Sequence, residues 1–230
     1  MPSIIFKKPP VVEVGISVQF SNSLEVADER RKFHRLIEAE FPLVVIPEQT
    51  KCLNDFGDYA LYTRNLTDRL EIGMNYFRLI TNSYPGYVRF RTLFLSALSI
   101  FRRIYALESL NNFFYYYNNL LPIGTQTRFD ELFTLKMQMP ESVGTELLAG
   151  QGTLLFQEPD GHLAVEFKPE WKELHVANYG FILRFGVLKQ IRLSEEGDEV
   201  GPLVDVAHAS LKNYFFSLLQ PNYIQFLEIQ

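Results

Sequence analysis

The chain has 230 residues, 47% of them hydrophobic and 21% charged, which excludes a disordered chain, a collagen-like repeat and a disulfide scaffold. This length favours a single domain over residues 1–230, with two pseudo-halves of about 1–120 and 121–230 as an alternative organisation. The net charge of −5 is uneven, because residues 1–120 carry 14 Lys and Arg against 12 Asp and Glu, whereas residues 121–230 carry 8 against 15. An acidic C-terminal half argues against general nucleic-acid binding and suits a basic protein partner.

The cysteine content and the N-terminal pattern bear on localisation. A single cysteine, Cys52, excludes an internal disulfide and every multi-cysteine zinc or iron–sulfur site, and a free thiol fits the reducing cytosol. Residues 1–20 lack the apolar core of a signal peptide, and the apolar run at 92–101 is too short to span a bilayer. The sequence therefore predicts a cytoplasmic protein that does not bind membranes.

Hydrophobic periodicity predicts the elements along the chain. Strict alternation predicts strands, and a 3.6-residue period predicts amphipathic helices, the longest of which follows a Ser83 cap and a first-turn Pro85. In chain order the prediction is a strand at 9–20, a helix at 24–41, strands at 59–64 and 69–81, a helix at 84–107, strands at 113–119 and 129–139, a hairpin at 152–168, a strand at 178–192 and a helix at 202–219.

The order of these elements indicates the fold class. The strands come in consecutive runs and do not alternate strictly with helices, which is typical of an α+β fold. We therefore predict a mainly antiparallel sheet with about three long helices packed on one face. Strands followed by a helix of about twenty residues occur twice, so two degenerate β-rich and helical halves are an alternative description.

Four short motifs occur in a set order along nearly the whole chain. They are Pro9-Pro10-Val11-Val12-Glu13 in the first strand, Tyr84-Pro85-Gly86-Tyr87 followed by Phe90, Tyr116-Tyr117-Asn118 in the aromatic strand, and Asp205-x-x-His208 followed by Phe215. With these motifs the chain resembles a sporadically distributed family of uncharacterised prokaryotic proteins. The resemblance supports the predicted fold and implies no activity. In that family the aromatic strand carries Leu-Arg-Tyr-x-Asn, and Tyr115 stands where the arginine would be, so any role of that arginine does not carry over.

The final helix carries the candidate catalytic residues. Asp205 and His208 are three residues apart, so that a carboxylate could orient an imidazole, and a hydrolase would add a nucleophile, either Ser210 or a distant tyrosine. The alternative is a structural histidine that is partly buried and hydrogen-bonded to a carbonyl group or to Asp205. No nucleophile-elbow motif supports the catalytic interpretation.

The aromatic strand carries the candidate binding residues. Tyr115, Tyr116 and Tyr117 with Asn118 could form a binding platform, because tyrosine offers rigid, amphipathic contact area. The alternative is a central strand whose large side chains are buried on both faces.

Metal and cofactor motifs are weak in this sequence. His162 and His175, with Asp160 and Glu173 nearby, are too loosely spaced for a typical metal site, and we interpret both histidines as surface residues. A phosphate-binding glycine motif is also lacking. We therefore predict no cofactor and no metal.

Two functional hypotheses follow. The first is a non-catalytic binding or interaction protein that uses a sheet face or an edge strand, in a bacterial defence or toxin-neutralising setting, with a protein partner or a second copy as its ligand. The second is a small-ligand-binding protein or hydrolase-like enzyme with a pocket that uses His208 and Asp205. The sequence favours the first, because it contains no assembled catalytic or cofactor motif.

Overall fold

The computed structural model describes residues 10–45, 59–107, 109–123, 129–134, 152–158, 161–174, 178–193 and 200–229. Strands and helices within these residues are numbered separately in chain order. They are β1 (Val11–Phe20), α1 (Leu24–Asp28), α2 (Arg30–Ile37), β2 (Leu43–Val45), β3 (Tyr59–Tyr62), β4 (Asp68–Gly73), β5 (Tyr76–Thr81), α3 (Tyr87–Tyr105), β6 (Leu110–Ile123), α4 (Phe129–Leu132), β7 (Gly152–Glu158), β8 (Gly161–Leu174), β9 (Asn178–Leu193), α5 (Val200–Leu218) and α6 (Pro221–Ile229).

The nine strands form one sheet in the order β2-β3-β4-β5-β1-β6-β9-β8-β7. Every neighbouring pair is antiparallel, which confirms the predicted α+β class and the antiparallel sheet. Strands β1 to β5 form one half of the sheet and strands β6 to β9 the other half. The two halves are joined by the pairing of β1 with β6. Strand β6 crosses position 120, where the sequence suggested a boundary between halves.

Strand alternation in β1 separates two faces of the sheet. Val14, Ile16 and Val18 are fully buried on one face, as the alternating pattern predicts. On the same face Phe101 of α3 packs against Phe77 of β5, with ring centroids 4.8 Å apart. The buried residues of the described helices join the core on this face. We call it the helix face, and the opposite one the outer face.

Two helices, α3 and α5, reach 19 residues, so the prediction of about three long helices is not confirmed. The helix predicted at 24–41 is divided into α1 and α2, because Glu29 leaves helical geometry at φ −98° and ψ 18°. Helix α3 begins after Gly86, at φ 93°, and the predicted Ser83 cap is not formed. In the described residues no helix is long and apolar enough to cross a membrane.

Three other segments differ from the predicted elements. Residues 69–81 form the β4–β5 hairpin with a two-residue turn at Met74 and Asn75, where one strand was predicted. The strand predicted at 129–139 begins as helix α4, and positions 135–139 lie outside the described residues. Helix α6 was not predicted. The hairpin at 152–168 and the strand at 178–192 are confirmed as β7, β8 and β9.

Candidate functional site

Strand alternation divides the candidate binding residues of β6 between the two faces of the sheet. Tyr115 and Tyr117 lie on the helix face, and Tyr115 is enclosed in the core. Tyr116 and Asn118 lie on the outer face, where both contact Glu13 of β1. All four side chains are buried, as the alternative of a strand buried on both faces predicts, and they do not form one platform. Each face has its own cluster.

On the helix face, four tyrosines and one histidine form what we call the tyrosine–histidine cluster. The hydroxyl of Tyr117 is at its centre, 2.5 Å from the hydroxyl of Tyr115 and 3.2 Å from that of Tyr84. The same hydroxyl lies 2.8 Å from Nδ1 of His208 on α5. The ring of Tyr87 stacks on the imidazole at a centroid distance of 3.8 Å and an interplanar angle of 5°. A chain of hydrogen bonds thus runs from the core to the last long helix.

The groups of this cluster are uncharged at neutral pH. Burial, together with the charge of Lys212, lowers the pKa of His208 to about 4, and Asp205 opposes part of the shift. Burial also raises the pKa of Tyr115 and of Tyr117 well above the ordinary value. The arrangement therefore presents a neutral imidazole held by a neutral phenol.

Asp205 is not the partner of His208. Its carboxylate accepts two hydrogen bonds from Arg91 of α3, from Nε at 2.7 Å and from Nη2 at 2.9 Å. It also accepts one from the hydroxyl of Tyr87. Arg91 lowers the pKa of this carboxyl group. Asp205 and His208 thus form no hydrogen bond with each other, although the i, i+3 spacing would allow one, and Asp205 joins α5 to α3.

Sequence reasoning missed Arg91 and gave Tyr87 no role. These residues lie 114 and 118 positions from Asp205 along the chain, so no local spacing connects them. The resemblance motif at residues 84–87 contained Tyr87 and was the one available signal.

On the outer face, what we call the outer-face cluster centres on Glu13. One oxygen of its carboxylate accepts hydrogen bonds from Nδ2 of Asn118 at 2.8 Å and from the hydroxyl of Tyr116 at 3.0 Å. Arg184 of β9 donates from Nε to Asn118 at 2.6 Å, and its guanidinium lies 5.1 Å from the centroid of the Tyr116 ring. Glu166 of β8 pairs with the same guanidinium at 3.4 Å.

Ion pairs extend the outer-face cluster across β1 to β4 and β5. Arg69 lies 3.8 Å from Glu13 and 2.8 Å from Glu71, and Arg78 pairs with Glu71 at 3.2 Å. With these residues, the outer-face cluster covers six adjacent strands and contains three guanidinium groups and three carboxylates. The charged side chains are partly exposed, whereas Tyr116 and Asn118 beneath them are buried. Each ion pair therefore adds little stability, and the main effect is to order the side chains.

Two glycines seat aromatic rings on this face. A Cβ atom on Gly15 would lie 2.3 Å from Cε1 of Tyr116, and one on Gly186 would lie 2.6 Å from Cε2 of Phe114. The rings of Phe114 and Tyr116 stack with centroids 5.4 Å apart. A glycine inside a strand marks close approach of another group, so Gly15 and Gly186 were the sequence signal for this site, and sequence reasoning did not use it.

The remaining candidates form no site within the described residues. His162 is exposed on β8, whereas Asp160, His175 and Cys52 lie outside the described residues. Among the residues that the structure describes, no group of three or more His, Cys, Asp or Glu is arranged to hold a metal ion.

The chain matches no protein-family model and no curated protein sequence. The resemblance suggested by the four motifs therefore stays a prediction.

Proposed function

We propose that the protein is a non-catalytic binding protein that recognises a protein partner through the outer-face cluster. The observation that carries this proposal is the hydrogen-bonded and ion-paired network that orders three guanidinium groups and three carboxylates over six adjacent strands. Exposed ion pairs contribute little to folding stability, so stability alone does not account for so extended a network.

The centre of the cluster is pre-organised for contact. The Tyr116 ring lies against the backbone of Gly15, its hydroxyl donates to Glu13, and its face is covered by Arg184. Ordering flexible side chains costs about 0.5–1.5 kcal/mol each on association. Arg184, whose side chain is 42% exposed and already held over the buried Tyr116 ring, avoids part of that cost, and arginine is enriched among binding hot spots.

The charges of the cluster indicate the kind of partner surface. Arg69, Arg78 and Arg184 are balanced by Glu13, Glu71 and Glu166, so this face does not carry the charge excess of the acidic C-terminal half. A partner with both carboxylates and basic groups in matching positions is favoured over a uniformly basic one. A toxin-neutralising protein would use this face to cover such a surface.

The second candidate function is small-ligand binding at the tyrosine–histidine cluster. It is favoured by one observation, that Nε2 of His208 has no hydrogen-bond partner among the described residues while Nδ1 is held by Tyr117. A hydrolase-like mechanism has less support, because the carboxylate of Asp205 is bonded to Arg91 and Tyr87.

The test uses matched variants in partner capture from the native cell extract, followed by calorimetry with the purified partner. Arg78→Ala combined with Arg184→Ala should weaken binding by at least about tenfold, whereas Arg89→Ala, at an exposed position of α3, should leave the affinity unchanged. A partner that binds this double variant as tightly as wild type, or one lost only with His208→Asn, would contradict the proposal. Turnover of a substrate that His208→Asn abolishes would contradict its non-catalytic part.

A further inference from the structure

The two edges of the sheet differ in how they are protected against pairing with another strand. Edge strand β2 has three residues and begins directly after Pro42. Edge strand β7 has seven residues, without proline and without a charged residue before Glu158. Short length, proline and charge are the features that normally prevent edge-to-edge association. Strand β7 lacks all three over residues 152–157, and no described strand pairs with its outer side.

Edge strand β7 also exposes apolar side chains on both faces of the sheet. Leu155 is 70% exposed, and Leu154 and Phe156 are 39% and 41% exposed. Leu154 and Phe156 pair with Val165 and Leu163 of β8, which are buried. The apolar layer of the helix face therefore continues to the edge of the sheet and ends there in contact with solvent.

We propose that β7 pairs antiparallel with β7 of a second copy of this chain, about a two-fold axis through Leu155. In that register Leu154 lies opposite Phe156 and Thr153 lies opposite Gln157, each pair occurring twice. In this register position 158 of one copy lies opposite Gly152 of the other, so no two charged residues are placed opposite one another. The strand is self-complementary, as a two-fold interface requires, and the apolar layers of both protomers lie on the same side of an eighteen-stranded sheet.

The proposed interface is small and does not depend on the outer-face cluster. An interface formed by one strand and three apolar side chains of each protomer belongs to the class of interfaces that bury less than about 1,200 Å² of surface in total. Such interfaces are transient, so we expect a dissociation constant in the range of about 1–100 µM.

The experiment is sedimentation equilibrium over about 1–300 µM protein, a range that spans the expected dissociation constant. Wild type should show a reversible monomer–dimer equilibrium. Leu155→Lys and Leu155→Glu each place like charges opposite one another and should weaken the dimer by at least about tenfold. An equimolar mixture of these two variants should form a heterodimer at least as tight as the wild-type dimer, because Lys then lies opposite Glu.

The matched control is Val44→Lys, which puts the same charge at an exposed apolar position on the β2 edge and should leave dimerisation unchanged. Unaltered melting temperatures would show that the exposed Leu155 variants are folded. A wild type that is monomeric throughout the concentration range would overturn the proposal. Undiminished dimerisation of Leu155→Lys, loss of the dimer in Val44→Lys, or a mixture without heterodimer would do the same.

Discussion

Gly15→Ala tests whether the Tyr116 ring is held as tightly on the outer face as the structure indicates. Gly15 is in extended strand geometry, so a methyl group meets no backbone penalty there. The new Cβ would lie 2.3–2.6 Å from Cε1, Cζ and the hydroxyl oxygen of the ring. The ring cannot move freely, because its hydroxyl is bonded to Glu13 and Arg184 lies over its face.

Two opposing effects set the size of the change. Overpacking of this kind costs about 1–3 kcal/mol. Replacing glycine by alanine at a compatible position stabilises by about 0.4–1 kcal/mol, because the unfolded chain becomes less flexible. We therefore expect Gly15→Ala to lower the free energy of unfolding by about 1–2 kcal/mol in wild type.

The control is the same substitution in a Tyr116→Ala background, in which the ring is absent. There Gly15→Ala should be neutral or stabilise by about 0.5 kcal/mol, so the sign of its effect reverses. Urea unfolding of the four proteins of this double-mutant cycle gives the coupling directly. Equal effects of Gly15→Ala in both backgrounds, or a wild-type effect below about 0.5 kcal/mol, would refute the close seating of the ring.

Three further predictions concern the core, the histidine and metals. Phe101→Ala should lower the free energy of unfolding by about 3–5 kcal/mol in urea titrations, since its ring is fully buried; a loss below about 1 kcal/mol would contradict that packing. In the unfolded chain His208 becomes protonated as the pH falls below its ordinary pKa of 6.5, whereas in the folded protein its pKa is about 4 and it becomes protonated only near that pH. Wild type should therefore lose about 1–2 kcal/mol, discounted for solvent screening, as the pH falls from 6.5 to 4, and His208→Asn should lose less over that interval while being modestly less stable at pH 7.5. EDTA should leave the melting curve unchanged, and a large fall in melting temperature would reveal a metal site.

The sequence pattern predicted the structure best for elements that have one face toward the core and the other toward solvent. The alternation of β1 predicted Val14, Ile16 and Val18 as buried, and they are. The same criterion failed at the β4–β5 hairpin, because alternating residues continue across its two-residue turn and look like one strand. The predicted helix at 24–41 kept a regular apolar period across Glu29, so the break there left no trace in the pattern.

The functional candidates show the same limit at longer range. Local spacing identified Asp205 and His208, yet their hydrogen-bond partners are Arg91 and Tyr117, which lie 114 and 91 residues away. Likewise, the tyrosine run identified Tyr116, but only strand pairing brings it to Glu13. Which face each tyrosine occupies followed from period-2 alternation and was available from the sequence, whereas the contacts across strands required the register.

The position of β6 between β1 and β9 has a consequence for synthesis. Strand β1 is completed by β5 and β6, but the far side of β6 pairs with β9, which ends about seventy residues later in the chain. At about 5–20 residues per second, a ribosome needs roughly 3–14 s to produce that segment. During this time the nascent chain has an aromatic strand with an unpaired edge. Yield in cells should therefore depend on chaperones that bind nascent chains, and more strongly than the stability of the finished fold would suggest.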